Sequence, residues 1–258
     1  MTENQAEEYA RRVFEAHEFR VDRLEAPDGG RCADFLVTKE SDSFLLEVTD
    51  KRESDFLSNL LLKAKDGGIA TASRKSSFSN RIDGILRDKE EQLVQTSRMY
   101  PNIPRVVWLS ALNRDSEYIL RCVKNTAYGL QTVSVLSASG EFISKRCFYR
   151  THSAFFRFQN IDAVILAGIE GGTFCLNEFS KRAATVRDSN LAQMFPPEGR
   201  IDPIRLERSG KAYCVRGDIN RRDDKAVWQY LYDTYGVRTA LMHSSEFVGY
   251  AHILSRDE

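Results

Sequence analysis

The chain has 258 residues, and its 37 basic and 37 acidic side chains give a formal net charge of zero. Hydrophobic residues make up 42% of it and aromatic residues 10%, which is enough for a sizeable core and excludes an intrinsically disordered, coiled-coil or collagen-like chain. The charge balance excludes a uniformly basic nucleic-acid coat, but it allows acidic and basic residues to be segregated along the chain.

Compartment and redox state follow from the apolar stretches and the cysteines. No stretch approaches the roughly 20 apolar residues that a membrane-spanning helix needs, and the first residues, MTENQAEEYARR, lack the apolar part of a signal peptide. The five cysteines include no Cys-x-x-Cys pair, which favours reduced core thiols over disulfides or a zinc site. We therefore expect a cytoplasmic protein with no membrane segment.

The first half of the chain predicts a helix followed by three short strands. Apolar residues recur at helical spacing over residues 3–18, and alternating residues predict strands at 19–24, 33–38 and 44–49. The last two strands form a hairpin around the polar loop 40–43. Further along we expect a helix at 54–65, a basic loop of small residues at 70–80, a long helix at 82–100 and an apolar strand at 105–112.

The second half predicts more strands and a boundary. Residues 196–203, PPEGRIDP, hold three of the six prolines and are typical of a linker. We therefore predict a domain at 1–195 and a small C-terminal α+β extension at 196–258. The expected strands are 130–136, 141–143, 163–166, 173–176, 212–215, 237–242 and 248–254, and the expected helices are 189–195 and 223–235.

The hairpin CADFLVTKESDSFLLEVTDK carries the candidate chemistry. A loop at 40–43 would pair Phe35 with Val48 and Val37 with Leu46, so these four form one apolar face. Asp34, Glu47 and Thr49 then share the opposite face, where the two carboxylates are diagonal neighbours about 7–8 Å apart at the backbone. That separation allows both to bind one hard divalent ion such as Mg²⁺ or Mn²⁺.

A solvated pair of acidic residues on a sheet surface is the alternative to a metal site. The setting of Glu47 favours the metal site, because this residue lies inside the apolar stretch FLLEVT. A charge buried there is costly unless it is paired or liganded.

This arrangement resembles the PD-(D/E)XK, or restriction-endonuclease-like, nuclease superfamily. In that family an N-terminal helix precedes a three-stranded meander, and a helix and a further strand follow. An Asp opens one strand of the meander, and a Glu-x-Lys motif closes the next. The resemblance covers residues 3–185 and implies a mixed β-sheet flanked by helices, with Asp34 and Glu47 as ligands of Mg²⁺ or Mn²⁺.

The same resemblance implies further site residues and one departure. Glu7 or Glu8 of the first helix would be an accessory carboxylate, Glu8 being the first choice, and Gln92 of the long helix would lie near the site. The motif Lys, however, is replaced by Thr49. A hydroxyl supplies no positive charge, so either another basic residue acts in its place or the fold persists without cleavage.

Three lysines could replace the missing one. Lys51 is the first choice because it shares the strand face of Glu47, and Lys63 and Lys89 are the alternatives. A lysine ammonium within a few ångströms of the Asp34 and Glu47 carboxylates would favour an active site over a degenerate one.

Two segments predict contacts with nucleic acid. FISKRCFYRTHSAFFR, residues 142–157, interleaves Lys145, Arg146 and Arg150 with aromatic residues and holds no acid. Cationic side chains pair with phosphates, and aromatic rings stack on bases. The loop at 70–80 and its flank add Arg74, Lys75 and Arg81. The alternatives are a strand or helix whose aromatic residues belong to the core and, for the second segment, an exposed loop.

The sequence therefore predicts a metal-dependent nuclease-like protein that hydrolyses DNA, with RNA as a further possible substrate. The family's usual settings imply prokaryotic restriction, repair or defence. The competing hypothesis is a catalytically degenerate nuclease fold that binds nucleic acid or a protein. The C-terminal extension, with its aromatic helix, could support a homodimer or a protein partner.

Overall fold

The computed structural model describes residues 3–25, 31–51, 56, 59–60, 62, 69–113, 115–136, 140–237, 240–243 and 246–253. Its strands are β1 Arg20–Arg23, β2 Phe35–Lys39, β3 Asp42–Asp50, β4 Ile69–Ser76, β5 Arg105–Ala111, β6 Gln131–Leu136, β7 Phe142–Phe148, β8 Ala163–Gly168, β9 Gly171–Leu176, β10 Arg200–Ile201, β11 Ala212–Cys214, β12 Ala240–His243 and β13 Glu246–Ile253. Its α-helices are α1 Glu3–Ala16, α2 Asn80–Thr96, α3 Ser116–Tyr128, α4 Ala183–Arg187, α5 Asn190–Gln193, α6 Pro203–Arg208 and α7 Asp224–Tyr235.

A seven-stranded mixed sheet forms the centre of the fold, in the order β1-β2-β3-β5-β8-β9-β10. The first three strands are an antiparallel meander, and β5 then pairs parallel to β3. Strand β8 is parallel to β5, β9 is antiparallel to β8, and β10 is parallel to β9. The α/β class and the predicted mixed sheet flanked by helices are therefore confirmed.

Helices cover both faces of this sheet. On one face, Ala6, Ala10 and Phe14 of α1 belong to the same buried cluster as Leu46 and Trp108. On the other face, α2 and α3 pack against the sheet, and the buried residues of this second cluster include Leu45, Leu86, Leu93, Val107 and Val123. The predicted apolar face of the hairpin is confirmed, because its four residues, Phe35, Val37, Leu46 and Val48, all lie in the α1 cluster.

The register of that hairpin differs from the prediction by two residues. Lys39 pairs with Asp42, so Glu40 and Ser41 alone form the turn, and Glu40 takes the left-handed φ of 52° that tight hairpin turns use. A shift by two residues keeps every side chain on its face. Extended by one residue, this register sets Asp34 directly opposite Glu47, not diagonal to it.

The predicted basic loop at 70–80 is wrong for most of its length. Residues Ile69–Ser76 form strand β4, which pairs antiparallel with β13 along eight residues. Ala70, Ala72 and Lys75 of β4 are poor strand formers, and the partner strand lies near the other end of the chain. The predicted helix at 54–65 lies largely outside the described residues, of which 56, 59, 60 and 62 are helical.

A second sheet, in the order β11-β7-β6-β12, draws two strands from each side of residue 196. The buried Val227 and Leu231 of α7 pack against it, as the predicted helix at 223–235 implies. The predicted linker at 196–203 contributes β10 to the central sheet, and its Ile201 is buried. The division into domains at residue 196 stays a prediction.

Two further features bear on the expected compartment. Among the described residues, no helix combines the length and apolar character that crossing a membrane requires. All five cysteines are unpaired thiols, and four of them are buried. Burial raises the pKa of the Cys147 and Cys175 thiols to about 12, so these side chains behave as core residues.

Candidate active site

A cleft of about 390 Å³ opens between the β2–β3 hairpin and helix α2. It lies on the sheet face that α2 and α3 cover. Its lining is polar apart from one isoleucine, and it contains Asp34, Glu47, Thr49 and Gln92 of the sequence-predicted site. The full lining is Arg31, Asp34, Glu47, Thr49, Ile85, Asp88, Lys89 and Gln92.

Glu47 is the central charge of this cleft. It lies in the middle of β3, flanked by paired strands on both sides, and only 1% of its surface is exposed. The Lys89 ammonium of α2 contacts it, with 2.5 Å between Nζ and Oε1. Because an ionised carboxylate buried in a sheet is costly unless an opposite charge accompanies it, this contact explains how β3 accommodates an acid among apolar residues.

Asp34 lies at the entrance to β2, beside Glu47. Its Oδ2 accepts a hydrogen bond from the Val48 backbone N–H at 2.7 Å. Burial raises the pKa of the Asp34 carboxyl to about 6, and the nearby Glu7 carboxylate adds to this rise. The hydrogen bond from Val48 and the charges of Lys89 and Arg23 act in the opposite direction. Asp34 is therefore ionised above about pH 6.

Helix α2 holds the segment that leads into Asp34. The Gln92 side-chain Nε2 donates to the Cys32 carbonyl oxygen at 2.5 Å, and the Thr96 hydroxyl accepts from the Ala33 N–H at 2.7 Å. Lys89, Gln92 and Thr96 follow each other at spacings of three and four residues, so they share one face of the helix. One helix face thus supplies both the ammonium and the anchors of the carboxylate segment.

Of the two accessory carboxylates considered, Glu7 is the one near the site. Glu7 is buried, forms an ion pair with Arg23 at 2.7 Å and raises the pKa of Asp34. Glu8, the first choice from the sequence, instead pairs with Arg11 and Arg12 along the outer side of α1. Helical periodicity separates the two residues by about 100°, and packing of α1 on the sheet decides which of them faces inward.

Lys89, and not Lys51, brings an ammonium to the carboxylates. Lys51 does not line the cleft, and its Nζ is buried without a hydrogen-bond partner among the described residues. Burial, with the nearby Arg81 charge, lowers the pKa of Lys51 to about 8. Lys63 lies outside the described residues. Residues 47 and 51 share a strand face, but four residues of extended strand separate their backbones by about 13 Å, so a shared face does not bring the two side chains together.

The donor set suits a hard divalent cation in type. Asp34 and Glu47 offer carboxylate oxygens, which Mg²⁺ and Mn²⁺ prefer, and Mg²⁺ commonly keeps several water ligands beside one or two carboxylates. The described residues contain no group of three or more His, Cys, Asp or Glu side chains that could hold a metal ion. A bound ion would therefore have to complete its coordination with water and substrate oxygens.

Two of the predicted nucleic-acid contacts are occupied inside the protein. The Arg74 guanidinium lies 3.7 Å from the ring centroid of Tyr118 and 4.6 Å from that of Phe56, and it pairs with Asp115 at 2.9 Å. Arg150 is buried and bonds to Asp224 and to the Arg221 carbonyl. Both side chains hold elements of the fold together.

The remaining predicted contacts are more accessible. Lys75, Arg81 and Arg146 are exposed, whereas Lys145 lies 5.1 Å from the ring of Tyr213. The aromatic residues between these cations belong mainly to the core, as the alternative interpretation held, and the fully buried ones are Phe148, Tyr149 and Phe155. Base stacking on this segment would be limited to exposed rings such as Phe142.

Two further charged residues at the cleft were not predicted from the sequence. Arg31 and Asp88 line it, and both side chains are exposed at its rim. Asp88 lies four residues before Gln92 on α2, so helical periodicity places both side chains on the same face and could have predicted it. Arg31 follows a Gly-Gly turn sequence and carries no such signal.

Comparison of the chain with protein-family models, with curated proteins and with solved structures found no match in any of the three.

Proposed function

We propose that this protein is a metal-dependent nuclease of the restriction-endonuclease-like type that hydrolyses DNA phosphodiester bonds. The observation that carries the proposal is the Lys89 ammonium, 2.5 Å from the Glu47 carboxylate in the cleft that Asp34 also lines. In this proposal Lys89 of α2 provides the positive charge that the family motif places on the strand, where this chain has Thr49.

The order of elements supports the same proposal. Helix α1 precedes the meander β1–β2–β3, α2 follows, and β5 pairs parallel to β3. That order is the one on which the resemblance to the PD-(D/E)XK superfamily rests. Asp34 at the entrance of β2 and Glu47 within β3 occupy the two acidic positions of its motif.

In this proposal Asp34 and Glu47 hold Mg²⁺ or Mn²⁺. Such an ion lowers the pKa of a bound water and neutralises charge on a phosphoryl group. The Lys89 ammonium would stabilise the additional negative charge that the phosphate acquires as a water oxygen bonds to phosphorus and a bond from phosphorus to a sugar oxygen breaks. The attacking water loses a proton to solvent, and the leaving alkoxide takes a proton from solvent. Gln92 and Thr96 keep the Asp34 segment in place throughout.

Substrate capture would depend on local contacts. Arg31 at the rim of the cleft, with Lys75 and Arg81, offers cations for the phosphate backbone. Because the net charge of the chain is zero, long-range attraction to DNA is weak, so binding would depend on these local cations or on a partner. The implied setting is prokaryotic restriction, repair or defence in the cytoplasm.

The test is cleavage of double-stranded DNA, single-stranded DNA and RNA with Mg²⁺ or Mn²⁺, compared with EDTA. We expect wild-type cleavage of DNA and a loss of at least about 100-fold in Glu47→Gln and Lys89→Met, since each removes charge stabilisation at the phosphate. Glu91→Gln is the matched control, because Glu91 is exposed on the same helix and does not line the cleft. Equal cleavage by wild type and both cleft variants would refute the proposal.

A degenerate nuclease fold that binds nucleic acid or a protein is the second candidate. Thr49 at the motif position favours it, because a hydroxyl supplies no positive charge. This candidate predicts that wild type is inert under every metal condition while DNA or partner binding persists unchanged in Glu47→Gln.

A further inference from the structure

A second cavity, of about 360 Å³, lies at the opposite end of the central sheet from the β1 edge. Residues of β9 and β10 and of the short helices α4, α5 and α6 line it, and all lining residues fall between positions 174 and 211. Its size falls in the range of small-molecule pockets. Its lining combines an apolar floor with basic walls and is formed by Phe174, Leu176, Arg187, Ala192, Pro197, Arg200, Asp202, Arg205, Leu206, Ser209 and Lys211.

The cationic side chains of the lining outnumber the carboxylates that neutralise them. Among the described residues, Asp202 is the single carboxylate in the lining, and its Oδ1 already accepts the backbone N–H groups of Ile204 and Arg205 at the start of α6. Its Oδ2 accepts from Arg187 Nε at 2.6 Å and lies 3.5 Å from Arg205 Nε. One carboxylate therefore serves a helix N-terminus and two guanidinium groups at once.

The other cations of the lining have no such compensation within it. Arg200 donates to the backbone carbonyl oxygens of Phe195 and Gln193 at 2.5 and 3.2 Å, which are neutral acceptors. Lys211 is exposed at the rim. With Asp188 counted as a further partner of Arg205, four cations face two carboxylates, a local charge of +2.

Arg187 gives the cavity a specific donor. Only 18% of its side chain is exposed, and its Nη2 is buried with no hydrogen-bond partner among the described residues. An anion in the cavity would lie beside this guanidinium and offset its charge, which the shared Asp202 carboxylate compensates only in part. The guanidinium is already oriented by Asp202, so this donor is held in place before any ligand arrives.

We infer that this cavity binds a small phosphate monoester whose organic part is apolar or aromatic. A phosphate monoester carries a charge of about −1.5 to −2 near pH 7, which matches the excess of cations, and its three terminal oxygens can accept from Arg187, Arg200 and Lys211 together. Its organic part would lie on the part of the apolar floor that stays accessible, at Pro197 and Leu206, because Phe174 and Leu176 beneath it are buried. The inference stands on residues remote from the Asp34–Glu47 cleft and does not depend on the nuclease proposal.

Calorimetric titration of the full chain with phenyl phosphate, AMP and inorganic phosphate tests this inference. We expect at least one of the two esters to bind ten or more times as tightly as inorganic phosphate, because only the esters have a ring to cover the apolar floor. Tighter binding of AMP would identify the ligand as a nucleotide, and tighter binding of phenyl phosphate a simpler ester. Failure of both esters to bind, or binding no tighter than that of inorganic phosphate, would overturn the inference.

Variants locate the binding. Arg187→Met should weaken ester binding at least tenfold, and Lys211→Gln should weaken it about threefold. Lys211 is exposed and outside the Asp202 network, so this second variant keeps the test valid if Arg187→Met folds poorly. Arg208→Met is the matched control, an exposed arginine of α6 that does not line the cavity, and should bind within twofold of wild type. Unchanged binding in folded Arg187→Met or in Lys211→Gln would overturn the location.

Discussion

The cleft at Asp34 and Glu47 and the cavity at Arg187 lie on the same central sheet. The first is lined by acidic residues at its centre, and the second has an excess of basic residues. In the cleft the buried Glu47 carboxylate contacts the Lys89 ammonium, whereas in the cavity the mostly buried Arg187 guanidinium contacts the Asp202 carboxylate. Strand β3 and strand β9 are three positions apart in the sheet, about 14 Å at the usual strand spacing. The zero net charge of the chain is therefore compatible with one site suited to a cation and another suited to an anion.

The largest effect should come from removing the ammonium at the cleft. Lys89→Met leaves the Glu47 carboxylate buried without that ammonium, and we expect a loss of about 3–5 kcal/mol in the free energy of unfolding at neutral pH. Glu47→Gln in the same chain should restore most of the loss. Urea denaturation of both single variants and the double variant measures this coupling, and independent, additive effects would show that the pair does not set the charge balance of the cleft.

Ligand affinities should separate the two regions. Glu47→Gln should weaken Mg²⁺ binding about 100-fold, since loss of a ligand costs at least as much as loss of a supporting hydrogen bond. It should leave phenyl phosphate binding unchanged, and Arg187→Met should do the reverse. Parallel calorimetric titrations of both variants with both ligands measure this. If either variant weakens both ligands equally, the two regions are not independent.

The pKa of Asp34 predicts a pH-dependent stabilisation. Because burial raises this pKa from 3.8 to about 6, the folded state holds the proton more tightly than the unfolded state, and that contribution to stability is lost as the pH rises through 6. Asp34→Asn should therefore be more stable than wild type at pH 8, by about 2 kcal/mol, and equal to it near pH 4. Urea unfolding without added metal at both pH values checks this, and a less stable Asn variant at pH 8 would contradict it.

The smallest effect distinguishes Lys51 from Lys89. Burial lowers the pKa of Lys51 to about 8, so its charged form opposes folding at pH 7 and this cost disappears as the pH rises above 8. Lys51→Met should raise the free energy of unfolding at pH 7 by about 1 kcal/mol, and it should reduce cleavage far less than Lys89→Met does. A loss of stability in Lys51→Met, or a loss of cleavage as large as that of Lys89→Met, would contradict this and indicate that Lys51 acts at the site.

The sequence determined which face of the hairpin each residue occupies. Alternation of apolar residues separated Phe35, Val37, Leu46 and Val48 from Asp34 and Glu47, and this separation survived a two-residue error in register because side chains alternate with a period of two. It also identified most helices and strands of the central sheet. These features depend on neighbours within a few residues, which the sequence displays directly.

Tertiary structure alone decided the contacts between distant segments. The pairing of β4 with β13, the approach of Lys89 to Glu47 across 42 residues, and the inward position of Glu7 all depend on how helices and strands pack. The cavity at Arg187 could not be predicted from the sequence for the same reason, because residues 196–203, which help to line it, have the composition of a linker. Local periodicity sets the direction of a side chain, but only packing between elements distant in sequence sets what that side chain meets.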